Sequence, residues 1–138
     1  LAHKVGAEYH VPHGRANAIL LPYVVRYNGS TPTKLATWPK YNYYKADEKY
    51  YELALAIGLK PKTIAEGVEM FAEACYNLGL AVGIKMSFKE QNIDEQTWLD
   101  NALKLSYLAY EDQCSPANPR LPVVEELKEI LINSYYGK

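Results

Sequence analysis

Apolar residues recur every three and four positions along most of the chain, and Gly, Pro and capping residues break the runs. Residues 14–27 place Ala16, Ile19, Leu20, Tyr23, Val24 and Tyr27 at helical spacing. Pro22 lacks an N–H and predicts a kink or restart in that helix. Asn28-Gly29 predicts its end. Residues 30–44 hold Pro32, Trp38, Pro39 and three tyrosines, and predict a loop or short hairpin that packs its aromatics onto the helices. Asp47 is placed to cap a helix running to Ile57, with Gly58 as its stop. Thr63 caps the next helix, with Glu66 completing a capping box. One face of that helix carries Ile64, Val68, Phe71, Ala72, Cys75 and Leu78, and Gly79 and Gly83 weaken its end. Asp94 opens a helix through Trp98, Ala102, Leu105, Leu108 and Ala109. Residues 114–122, with three prolines, break the pattern. The last helix runs from about Pro122 to Tyr135 and turns Val124, Leu127, Ile130, Leu131 and Ser134 inward.

No run alternates as a half-buried strand does. The fold class is therefore all-α, a bundle of about five helices in one domain over residues 1–138. No repeat of about thirty-four residues appears, which argues against a helical array. No G-x-G-x-x-G follows a strand and no P-loop is present, so a nucleotide, if one is used, has its main binding fold on another domain. Gly79 and Gly83 carry no phosphate-binding weight.

Charge and composition exclude some function classes. The net charge is −1 with Lys and Arg scattered among acids. That leaves no electrostatic footprint for nucleic acid and no basic helix for a membrane surface. Apolar runs such as residues 18–21 are far too short to span a bilayer. Two cysteines, Cys75 and Cys114, make no disulfide framework, which predicts a cytoplasmic, reducing compartment. Thirteen tyrosines against two phenylalanines predict rings packed while their hydroxyls stay wet.

The candidate chemistry is concentrated at the start. All three histidines, His3, His10 and His13, lie in the first thirteen residues, and imidazole suits both metal ligation and proton transfer near neutral pH. This predicts a site, part of which lies upstream of Leu1 in a larger enzyme. His10-Val-Pro-His13 has the spacing of a helical ligand pair, although Pro12 opposes continuous helix there. His3, seven residues before His10, falls on the same helical face. Solvated histidines on an amphipathic helix are the plain alternative. His13 has the stronger local case, because it stands between Pro12 and Gly14 at a helix entry where backbone can approach a ligand. Cys114 sits in the loop Asp112-Gln-Cys-Ser-Pro-Ala-Asn-Pro-Arg120. A nucleophilic role needs a base, and no histidine is near it in sequence. Asn118 and Arg120 are expected to fix that loop by bonding backbone carbonyls. Cys75 is expected in the core. The acidic pairs Asp47-Glu48, Asp94-Glu95 and Glu125-Glu126 start helices, where the helix dipole explains them without catalysis.

The segment AHKVGAEYHVPHGRANAILLPYVVRYN resembles the signature of iron-containing (group III) alcohol dehydrogenases, A-H-x-x-G-A-x-x-x-x-P-H-G-x-A-N-A-x-L-L-P. The segments WPKYNYYKADEKYYELALAIGL and AYEDQCSPANPRLP resemble the alcohol dehydrogenase half of bifunctional aldehyde/alcohol dehydrogenases. The likeness covers residues 1–135. It implies the C-terminal, all-helical domain of a dehydroquinate-synthase-like fold, whose nucleotide-binding domain lies upstream. It implies interconversion of a small aldehyde, such as acetaldehyde, and a primary alcohol, such as ethanol, by hydride transfer between the substrate carbon and a nicotinamide ring. NAD(H) and divalent iron are the cofactors that follow, with zinc as the alternative metal. In that family one aspartate and three histidines hold the metal. The last histidine falls on His13. Another would lie four residues before His3 and so before Leu1, and the remaining two ligands lie further upstream. His3 matches a non-ligand histidine proposed to relay protons, and Cys114 matches a cysteine near the nicotinamide. His10 takes no role. The resemblance also implies a homo-oligomer or filament.

Three other readings are a zinc-using polyol dehydrogenase domain, a helical binding module without catalysis, and a helical assembly module with Trp38 and Tyr41 on its contact surface. With one ligand of four present, the 138-residue chain alone is expected neither to hold iron tightly nor to reduce aldehyde. NAD(H)-dependent ethanol oxidation by the purified chain would contradict that.

Overall fold

The computed structural model describes residues 1–32 and 44–137. They form six α-helices and no strand: α1 (Ala2–Tyr9), α2 (His13–Gly29), α3 (Ala46–Ala56), α4 (Ile64–Ala81), α5 (Glu95–Tyr110) and α6 (Val124–Tyr136). Short 3-10 turns occupy Lys89–Gln91 and Ser115–Ala117. The bundle matches the expected fold class, and the extra helix is α1, eight residues with no side-chain cap at its start. Trp38 and Tyr41, and with them most of the aromatic segment 30–44, lie outside the described residues.

Helix α2 is the hub, packing against α1, α3, α4 and α6, while α5 packs on α6 and α1. It runs unbroken through Pro22, so the expected restart does not occur. Pro22 is buried among its neighbours, and tertiary packing outweighs the lost hydrogen bond. The main core joins Val5, Ile19 and Leu20 of α1 and α2 to Leu105, Leu131 and the aromatics Phe88, Trp98 and Tyr135. Trp98 lies at the centre, its ring 4.7 Å from Phe88, 5.2 Å from Tyr9 and 5.4 Å from Tyr135, in offset stacks. The Tyr135 hydroxyl donates to the Ile93 carbonyl at 2.9 Å.

The helix ends follow the caps read from the sequence, with one exception. Thr63 accepts from the Glu66 N–H at 3.1 Å, and Glu66 reaches back to the Lys62 N–H at 2.6 Å. Asp94 accepts from the Thr97 N–H at 2.9 Å. The exception is Asp47, which sits inside the first turn of α3 rather than at its cap; Lys45 holds the cap position, without a side-chain bond. Gly58 and Gly83 both adopt positive φ just past helix ends. Each is flanked by the paired bonds of a Schellman turn, Leu59 N–H to Ala54 O and Ile84 N–H to Gly79 O. Gly83 therefore terminates α4 rather than weakening it.

The inward face of α4 differs from the one the apolar spacing predicts. Gly67, Val68, Ala72 and Gly79 are buried, while Ile64 and Leu78 are exposed and Cys75 is half-buried rather than core. Small residues let neighbouring elements approach: Val68 lies on Gly29, Tyr51 on Gly67 and Met86 on Gly79, so closely that a Cβ would overlap each of them. Leu108 is also exposed, and Val124 only half-buried. A Cβ at Gly67 would lie 2.9 Å from the Tyr51 Cα, an atom that moves only if α3 moves. Gly67→Ala is therefore expected to destabilise the chain by about 1–3 kcal/mol despite better helix propensity. Gly14→Ala, with nothing within 4 Å of the new Cβ, is expected to leave the urea midpoint unchanged or higher.

Candidate functional site

Helix α1 stops because His10 turns into the left-handed region, φ 55°, and Pro12 at the head of α2 has no N–H to continue it. The chain reverses across residues 10–12, with Val11 buried beneath the turn. His10 and His13 therefore share no helix face, and the expected alignment of His3 with His10 fails for the same reason. His3 instead meets His13. Their rings stack with centroids 4.8 Å apart and planes 15° from parallel.

Both rings are exposed at the rim of a cleft of ≈ 700 Å³. Leu20, Leu21, Val24 and Ile130 line it with an apolar wall, and Asp112, Cys114, Ser115 and Asn118 of the loop after α5 also line it. Two residues that the sequence reading passed over organise this rim. Asn17, one turn after His13, places its amide Nδ2 3.0 Å from His13 Nε2. An amide nitrogen only donates, so Nε2 carries the lone pair in this arrangement. Asp112 lies 3.8 Å from His3 Nδ1 and 3.0 Å from Lys4 Nζ, and it accepts from the Cys114 N–H at 3.0 Å. The Cys114 N–H and the Lys4 ammonium hold the Asp112 carboxyl well below the usual carboxylate range, against a smaller opposing effect of burial. The D-x-C spacing, which lets the carboxylate fold back on the cysteine N–H, was the available signal for Asp112.

The loop is fixed as its composition implies. Asn118 donates to the Arg120 carbonyl at 2.5 Å, and Arg120 donates to the carbonyls of Tyr27 at 3.1 Å and Ser30 at 3.3 Å. The guanidinium also lies 4.2 Å over the Tyr27 ring and pairs with Glu126 at 2.9 Å. Cys114 is exposed at the cleft. Cys75 is remote from it on α4, and burial pushes its thiol up. Among the described residues no three His, Cys, Asp or Glu side chains gather as a metal-binding group. Of the side chains lining the cleft, the His13 imidazole has the donor chemistry to fill one position of a divalent metal. No helix among the described residues is long and apolar enough to cross a membrane.

Residues 1–135 match the family model described as "Fe-containing alcohol dehydrogenase family, C-terminal". The chain is 60% identical over 137 residues to the aldehyde-alcohol dehydrogenase of Streptococcus pneumoniae serotype 4, covering 99% of this chain and 16% of that protein. It is 40% identical over 142 residues to the bifunctional aldehyde-alcohol dehydrogenase of Escherichia coli K12, covering 100% of this chain and again 16% of the relative. A solved structure of a 1,3-propanediol oxidoreductase superposes with a TM-score of 0.78 at 24% identity, over 97% of this chain and 31% of that one, and shows the same fold.

Because the folded-state pKa of Asp112 lies below its unfolded value, its contribution to stability is complete above the ordinary carboxylate pKa. It is lost as pH falls below about 4. Denaturant titrations of wild type and Asp112→Asn are expected to differ most near neutrality and to converge in acid. A gap that stays constant down to about pH 3 would contradict this.

Proposed function

The chain belongs to the Fe-containing alcohol dehydrogenase family, and from that premise we propose that it is the metal-contributing helical domain of an NAD(H)-linked enzyme interconverting aldehydes and primary alcohols. The observation that carries the reading is the stack of His3 on His13 at the mouth of one cleft. It brings together the two histidines of the family signature. The chain spans 16% of the length of the relatives it matches. The reading assigns the nucleotide-binding domain and the remaining metal ligands to other parts of the full-length protein, and its working compartment to the cytoplasm, whose reducing conditions suit two free cysteines.

His13 would hold the iron through Nε2, the ring nitrogen that the Asn17 amide faces. Bound iron and nicotinamide supply Lewis acidity and hydride exchange at the substrate carbon. His3 is exposed at the rim, with one ring face against His13, and carries the hydroxyl proton between substrate and solvent. Asp112 anchors Lys4 and faces His3 Nδ1, and so limits the orientations of that ring. The apolar wall of Leu20, Leu21 and Val24 keeps water from the reacting carbon. Cys114 in the cleft-lining loop fits a contact with the nicotinamide.

Two substitutions in the full-length protein separate the roles. His13→Ala is expected to bind iron far more weakly, so that it is purified without iron and without turnover and takes up the metal only from excess. His3→Ala is expected to keep the iron and lose turnover by roughly 10²–10⁴-fold. Metal analysis beside steady-state acetaldehyde reduction checks both, and full turnover in His13→Ala would overturn the assignment.

A further inference from the structure

We propose that Asn118 is a positioning residue for the cleft. Through reciprocal amide bonds to Asn28 it holds the loop that carries Asp112 and Cys114 against the far end of α2, and so sets where that loop lines the cleft. The inference rests on the reading of this cleft as the active site.

Asn28 is 3% exposed on the last turn of α2, an unusual place for a carboxamide. Its amide is satisfied by two side chains. It donates to Asn118 Oδ1 at 3.2 Å and to the Tyr50 hydroxyl at 3.5 Å, and its Oδ1 accepts from Asn118 Nδ2 at 2.7 Å. Two bonds between two planar amides fix both orientations, as a single bond does not. Three backbone bonds of the loop are local: Ser115 N–H to Asp112 O, Ala117 N–H to Cys114 O and Asn118 N–H to Ser115 O. They shape the loop without tying it to α2. Its near end is moored to α1 by Asp112 and Lys4. Its far end meets α2 through Asn118, with Arg120 following onto the Tyr27 and Ser30 carbonyls. One helix thus presents His13 at its first residue and grips the cleft-lining loop at its last turn.

The test uses the full-length protein and the variants Asn118→Ala, Asn28→Ala and the double variant. Acetaldehyde reduction with NADH is measured beside hydrogen exchange of residues 112–121. Asn118→Ala is expected to raise KM about ten-fold with kcat within about three-fold, since a displaced loop weakens binding before chemistry. Deuterium uptake in residues 112–121 rises while α4 is unchanged. The double variant matches the stronger single one, because the two residues form one interaction. A merely structural role would lower kcat at unchanged KM through loss of folded enzyme, and that result overturns the proposal. Unchanged exchange in residues 112–121 or additive effects overturn it as well. If Asn28→Ala does not fold, Asn118→Ala decides through KM and exchange. If wild type reduces no aldehyde, the reading of the cleft as an alcohol dehydrogenase site fails, and exchange in Asn118→Ala still decides whether the amide pair holds the loop.

Discussion

The break between α1 and α2 is the constraint on which the site depends. In one continuous helix, the ten residues separating position 3 from position 13 would place the two imidazoles about 15 Å apart along the axis. The turn at residues 10–12 brings their centroids to 4.8 Å. It carries a non-glycine residue in the left-handed region, at a cost of about 1–2 kcal/mol. Burial of Ala2, Val5, Val11 and Ala16 around the turn offsets that cost. The histidines are thus juxtaposed by the hydrophobic core, and their stacking is a consequence of how α1 docks on α2.

The same core explains why α2 can serve as a ruler. It contacts four other helices and continues through Pro22, so its two ends keep a fixed relation. Its first residue reaches the cleft. Its last carbonyls receive Tyr44 and Arg120, the Tyr44 hydroxyl donating to Asn28 O and Ser30 O. Burial raises the Tyr44 pKa to about 12. The C-terminal end of α2 is therefore capped by tertiary contacts in addition to the Ser30 hydroxyl, which bonds the Arg26 carbonyl.

Much of this architecture is legible in the amino-acid order because its signals are local. Thr63, Asp94 and Gly58 act on their own helix ends, and the periodicity of α5 and α6 places Trp98, Leu105, Leu127 and Leu131 inward. What was not legible depends on contacts distant in sequence. The burial of Gly67 and Gly79 in place of Ile64 and Leu78 follows from how closely α3 and Met86 approach α4. Residue spacing carries no trace of that approach. In the site, His3, His13 and Cys114 were visible as residue types in a signature. Asp112 and Asn28 were not singled out, since a carboxylate in a loop and an amide at a helix end are ordinary until the fold brings a partner to each. Cys75 was misplaced because an apolar helix face was taken as a buried one.

The proposed binding of the catalytic metal by the His13 ring in the full-length protein is open to direct measurement. X-ray absorption at the iron edge measures it most directly, by comparing the iron-loaded wild type with His13→Ala reconstituted at the same iron occupancy. The account predicts that the variant loses the scattering of one imidazole from the iron shell. Identical imidazole scattering in the two proteins would contradict it.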